Sequence, residues 1–401
     1  MSLAAKLPYD HAYAGGYPGI GSQPLPTDAD ALDYLARVKA ADGAGVEVGV
    51  ATAVSAFVAD SKALGVWDSI RASCVLAGAR TLAGALVPLR DYGPELVDIN
   101  SLESPSINNL GGSAGYWDAA SRTAYSTATG AAGYPYFVFP VSVVVGKTYR
   151  FSGVLSGDFA DINLFRFGNL NVTIAEDGSF DASLVANFAD FKIYFESSLG
   201  PQAVTIDSLS IREVIAAPTN VADGFVEGDY SRTAGLTGDE ATTYLDSGRA
   251  GDDDLQDDCH LALYVSTIAS GSSALIAAFT NVPSAFGKQI NSTSFQDFFT
   301  RFNTSSTDGA TSFQAGFAGA TRADGDRYFK RNNSSTREIV VASTGVSPEP
   351  VYVFASSLGQ VSDASIAFYS IGDSLGSNPA DGLAALDTAV TNLITAIGAA
   401  L

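Results

Sequence analysis

The chain has 401 residues, with 43 Asp and Glu against 22 Lys and Arg, for a net charge of −21. An apolar share of 46%, including 23 Phe and 17 Tyr, can build real cores and excludes global disorder; the length suggests about two to three domains. A field this negative repels polyanions, which excludes nucleic acid as a partner, and the acidity serves solubility instead.

The first 26 residues contain "YAGGYPGIGSQPLP" and are expected to be extended or loop-like, with no charged leader and apolar core of a secretory signal. Thr27 and Asp28 offer an N-cap for "DADALDYLARVKAADG", a helix that Gly43 stops. A second helix is predicted from about Val46 to Leu64, with Val46, Val50, Val54 and Phe57 on one face and Gly65 as its breaker. Residues 66–89, "VWDSIRASCVLAGARTLAGALVPL", are apolar enough to suggest a membrane span. Asp68, Arg71 and Arg80 interrupt the block and Arg90 closes it. A span needs about 20 consecutive apolar residues, so no membrane insertion is expected. The block is predicted instead as a third, buried helix ending at Pro88, whose Ala and Gly residues let another backbone approach closely. Residues 1–90 then form an extended arm plus a helical attachment unit, with the block as its docking surface.

Beyond Asp91 the periodicity drops to two. In "FKIYFES", Phe191, Ile193 and Phe195 alternate with Lys192, Tyr194 and Glu196, and "AVTIDSLSIREV" behaves alike. "VVVGKTYRFSGVL" predicts two strands about Gly146, and "EDG" at 176–178 a hairpin turn. Residues 91–217 are therefore expected to form an antiparallel sandwich. Strand-like runs continue from Pro218 in "LALYVS", "ALIAAFT", "REIVVAS", "VYVFAS" and "SIAFYSIG". The final "NPADGLAALDTAVTNLITAI" reverts to helix, capped by Asn378 or Asp381, with Leu383, Leu386, Val390, Leu393 and Ile397 in one stripe. That helix is expected to cover the preceding sandwich or to contact a partner chain.

Three strings resemble bacteriophage and prophage virion proteins of the tail-fibre or minor structural kind: "VWDSIRASCVLAGARTLAGALVPL", "TNVADGFVEGDYSRTAGLTGDEATTYLDSGRAGDDDLQDDCHLALYVS" and "VYVFASS…SIAFYSIGDSL". The resemblance implies a concanavalin/laminin-G-like jelly roll over 218–401. In such relatives "ALVPL" runs almost directly into the "PTN…GDY" block. Here residues 91–217 intervene, and they resemble a carbohydrate-binding-module-like jelly roll. The fold class expected is thus mainly β: two antiparallel jelly-roll β-sandwiches with an N-terminal helical segment and a C-terminal helix. The resemblance further implies location in the virion, other virion proteins as partners, a host-surface glycan as ligand and, by analogy with phage projections, a homo-oligomer, a trimer. It supplies no catalytic residues. Capsid or collar decoration without receptor binding is the alternative role, and polysaccharide depolymerisation a second one.

Several constellations bear on chemistry. "GDSLG" at 372–376 matches a nucleophile-elbow pattern at Ser374, yet the chain's two histidines, His11 and His260, both precede it, so a surface turn is expected. The acidic run "GDDDLQDDCH" offers Asp252, Asp253, Asp254, Asp257 and Asp258 to calcium, but lacks D-x-D-x-D-G spacing; a solvated loop is the competing reading. Cys74 and Cys259 have neither a disulfide framework nor metal-ligand spacing, and His260 is expected at a strand edge. The E-x-D-x-x-E signature of jelly-roll glucanases is absent and no carboxylate pair stands out, so a non-enzymatic role is expected. Tyr116, Trp117, Tyr125, Tyr134 and Tyr136 lie in "GYWDAASRTAYSTATGAAGYPYFVF" and could stack on the apolar face of a sugar, or fill the sandwich core. Arg322, Arg327, Lys330, Arg331 and Arg337 form a basic stretch that either docks an acidic neighbour or pairs with local acids.

Overall fold

The computed structural model describes residues 28–97, 105–109, 114–126, 135–141, 143–157, 164–167, 170–172, 178–186, 190–194, 202–221, 224–271, 273–280, 286–292, 297–308, 311–312, 314–357 and 359–401. The expected N-terminal arm, His11 and Tyr134 lie outside the described residues, as do Phe195 and Glu196. The architecture is mainly β, with two antiparallel sandwiches, a helical segment before them and a helix at the end.

The larger sandwich packs an eight-stranded sheet on a seven-stranded one. In the first sheet, strand Ser365–Gly372 lies next to Cys259–Thr267, followed by Gly316–Arg322, Arg327–Asn332 and Ser335–Val340. Along strand Cys259–Thr267, Leu261, Leu263 and Val265 point into the space between the sheets, where they meet Ile276, Ile290 and Phe298. Ala262 and Tyr264, on the opposite face, meet a layer of helices. Both faces of this sheet are covered, so strand Ser365–Gly372 is buried at every position.

The helical layer comprises α1 (Ala29–Asp42), α2 (Val48–Ala63), the single turn α3 (Leu82–Ala85) and α4 (Pro379–Ala400). Asp28 caps α1 by accepting from the amides of Asp30 and Ala31 at 3.0 and 3.3 Å. Gly43 ends it in the left-handed region at φ 72°, which glycine adopts without Cβ strain. Val50, Val54 and Phe57 of α2 pack with Leu386, Val390 and Leu393 of α4, and Phe57 meets Phe368 edge-on at 5.6 Å. The predicted apolar stripe of α4 is buried throughout. This helix is long and apolar enough to cross a bilayer, but here its stripe covers the sheet.

The predicted third helix does not form. Residues 67–69 make one 3-10 turn, Ile70–Val75 is a strand antiparallel to Ser365–Gly372, and only Leu82–Ala85 is helical. The register pairs Ser73 with Ser370 and Val75 with Phe368. Ala72 and Cys74 face the core between the sheets, whereas Ile70 and Val75 face the helices. A strand buried on both faces is as continuously apolar as a buried helix, so periodicity could not separate the two. The close approaches that the block's glycines permit are made within the chain, Gly78 to Val50 and Ile397 and Gly84 to the Asp42 carboxylate. Much of the block is thus packed inside the chain itself. Residues 28–90 share one core with the C-terminal sandwich.

The smaller sandwich packs two five-stranded sheets. One has the order Gly115–Asp118, Thr123–Ser126, Gln202–Glu213, Thr148–Gly157, Ser179–Val185. The other is ordered Ser106–Asn109, Pro135–Pro140, Asp190–Tyr194, Leu164–Phe167, Leu170–Val172. Phe137, Phe139, Phe151, Leu155, Val204, Ile206 and Ile211 fill its core. The chain enters and leaves it side by side: Gly93 donates to Glu213 O and Ile215 to Asp91 O, both at 2.8 Å.

Candidate functional site

Strands Gly115–Asp118 and Thr123–Ser126 form a hairpin at one edge of the first five-stranded sheet. Asp118 shapes its turn, accepting from the Ala120 amide at 3.0 Å and the Ser121 hydroxyl at 2.7 Å. Alternation then divides the aromatic cluster. Trp117 turns inward, edge-on to Phe139 at 5.1 Å, so the core reading holds for it. Tyr116 and Tyr125 stand opposite each other on the outer face, their rings parallel within 3° and 4.5 Å apart. Tyr116 is 52% exposed. Tyr136 lies on the other sheet, in strand Pro135–Pro140, and does not join them.

Farther along the same outer face, small polar residues border a groove. Thr123 and Thr205 share a hydroxyl–hydroxyl bond of 2.8 Å. Ser210, Ser152 and Asp181 then stand in one cross-strand row, beside Ser208 and Val154. These residues, with Gly153, Phe180 and Leu209, line an open cavity of about 330 Å³. A bulge between Ile206 and Ser208 brings the Ser208 carbonyl so close to Gly153 that a Cβ there would collide with it. The serines were missed in the sequence; the available signal was the alternation of small polar residues in "TYRFSGVLSG" and "VTIDSLSIRE".

The acidic run does not converge. Asp252 is exposed, and Asp253 accepts from the Ala250 amide at 2.8 Å and pairs with Lys147 at 2.5 Å. Asp254 is fully buried between Arg249 at 2.6 Å and Lys288 at 2.8 Å. Burial pushes its carboxyl upward, but the two cations more than reverse this and hold it well below the ordinary carboxylate range. Asp258 accepts from the Ser374 amide at 2.7 Å, and one oxygen of Asp257 is buried without a partner. Among the described residues no three acid, His or Cys side chains are grouped to hold a metal ion.

His260 is not at a strand edge, as expected, but buried on a central strand. Its Nδ1 lies 2.6 Å from the Asp373 carbonyl, which can only accept, so Nδ1 carries the proton and Nε2 accepts from the Ser370 hydroxyl at 2.7 Å. Burial pushes its pKa down to about 4, which keeps the ring neutral. This Ser–His pair is sealed from solvent, and it involves Ser370 rather than Ser374. Ser374 sits in the turn before α4. The basic stretch is mostly consumed internally. Arg322 is buried, donating to the carbonyls of Phe302, Asp324 and Val341. Arg327 pairs with Asp324 and Glu338, Lys330 with Asp308, and Arg331 with Asp387 of α4. Arg337 remains exposed.

No family model matches the sequence, and no curated protein matches it. Among solved structures the chain is similar to three β-sandwich proteins. A Trypanosoma rangeli sialidase in complex with sialic acid gives a TM-score of 0.30 at 8% identity, over 67% of this chain and 51% of the sialidase, so the chain spans about half that protein's length. The CBM22-1-CBM22-2 tandem domain of Paenibacillus barcinonensis Xyn10C gives 0.23 at 14% identity, over 71% of this chain and 99% of that one. Domains LG4-5 of the mouse laminin alpha1 chain give 0.23 at 13% identity, over 70% and 90%.

Proposed function

We propose that this chain is a non-enzymatic, glycan-binding component of a bacteriophage virion, acting in attachment to the host surface. The observation that carries the glycan-binding part is the Tyr116–Tyr125 stack: two parallel rings on an outer sheet face, one of them half exposed, with a cavity bordered by serines farther along the same face. A pyranose has an apolar face that suits an aromatic ring and a rim of hydroxyls that suits serine and aspartate, and this face offers both. The virion location, contacts with other virion proteins and assembly as a homo-oligomeric projection rest on the sequence resemblance. The non-enzymatic part rests on the sequence, which lacks the E-x-D-x-x-E signature and a histidine after Ser374.

Full-length protein on an array of host-envelope glycans tests the reading. Retention is expected, and Tyr116→Ala should weaken it about threefold to tenfold without changing the melting temperature. No retention on any host glycan would remove the proposal. Release of new reducing ends from the bound polysaccharide would replace it with depolymerisation.

A further inference from the structure

Where the groove reaches the junction with the larger sandwich, it ends in a second cavity of about 130 Å³ lined by Tyr92, Arg150, Ser152, Ser210 and Arg212. Arg150 and Arg212 are directly opposite each other across neighbouring strands, and so are Ser152 and Ser210 one step along. Like charges placed opposite each other destabilise a sheet, so this pair needs a compensating negative charge. The protein supplies one carboxylate for each arginine from the flanks. Asp181 grips Arg150 through Nε at 2.8 Å and Nη2 at 2.5 Å, while Glu95 takes only Nε of Arg212, at 3.1 Å. Tyr92 lies beneath the Arg150 guanidinium, 5.0 Å from ring centroid to carbon, which fixes its plane. No carboxylate is among the residues that line the cavity, although the Ser210 hydroxyl is given to Glu95 at 2.6 Å and Asp30, Asp33 and Asp91 stand in the adjoining cavity that Tyr92, Arg150 and Arg212 also line.

We infer that this cavity is an anion subsite of the glycan face, taking the carboxylate of an acidic sugar. The inference rests on the glycan-binding reading above and names its ligand class. Arg212 presents the edge of its fork left open by Glu95, in the planar geometry that a carboxylate accepts. Ser152 adds a hydroxyl beside it. The sugar ring then extends along the serine row toward Ser208, and the tyrosine pair receives a further unit of the same chain.

The test is full-length protein on an array of uronate and sialoside glycans, each printed beside its methyl ester, with sulfated glycans as a separate set. Acidic glycans should be retained and their methyl esters retained at least about tenfold more weakly. Arg212→Gln should weaken the acidic forms to the level of the esters and leave the esters unchanged. Arg212 has a 40% exposed side chain, so the variant is expected to melt like the parent. Ser152→Leu, which fills the cavity and also intrudes on the serine row, should weaken acidic glycans and esters alike. Binding that is indifferent to esterification and to Arg212→Gln would overturn the subsite while leaving glycan binding intact. Arg212-dependent retention of sulfated glycans alone would overturn the carboxylate assignment. Retention of no glycan at all would remove both readings together.

Discussion

Neutral His260 holds two hydrogen bonds in a place where its charged form could be solvated by nothing else. Its folded pKa of about 4 lies below the unfolded value of about 6.5, so the unfolded chain binds the extra proton first as the pH falls. The residue's contribution is thus fully present above about pH 6.5 and is lost on the way down to about pH 4, in total about 3 kcal/mol. Urea midpoints measured between pH 7 and 4 should fall accordingly, and His260→Asn should flatten that slope while lowering stability at neutral pH. An unchanged slope in the variant would show that other groups govern this window. None of this was legible in the sequence, where "GDDDLQDDCH" suggests a solvated loop with His260 at the edge of the strand that follows. Neighbours such as Ser370 and Lys288 reach the strand only through the sheet's pairing and the packing of its faces.

Among the elements, α1, α2 and α4 were readable because each helix states its own limits: Asp28 and Gly43 for the first, a three-to-four-residue apolar stripe for the others. Strand Ile70–Val75 states none, since its faces are both covered and its partner is the last strand of the molecule. That pairing depends on Gly372, where any Cβ would strike the Ser69 carbonyl and crowd the Arg71 amide at 2.8 Å. Gly372→Ala should therefore push the two strands apart and destabilise the protein by about 2 kcal/mol or more, read from chemical denaturation. A change below about 0.5 kcal/mol would mean that the strand tolerates a looser seat.

Across the whole molecule, the smaller sandwich is joined to the larger through two adjacent antiparallel segments, 91–93 and 213–215, bridged at Tyr92 and Val214, and by the Lys147–Asp253 pair. Replacing residues 92–214 by a short glycine link should leave the larger sandwich folded, with a single cooperative calorimetric transition; its loss would show that the two units stabilise each other. The two-residue periodicity beyond Asp91 made the strands of this unit legible. The serine row and the facing arginines were not, because they are drawn together by strand register over distances the linear pattern does not encode. The seat of Ile70–Val75 on Ser365–Gly372 also sets a timetable for synthesis. The early strand emerges from the ribosome roughly three hundred residues before its partner, a wait on the order of tens of seconds at ordinary elongation rates. During that interval the smaller sandwich can complete itself, but α2 and the strand stay unsheltered and open to chaperones. A message cut short before Ser365 would leave them so permanently, which marks the truncated product for degradation.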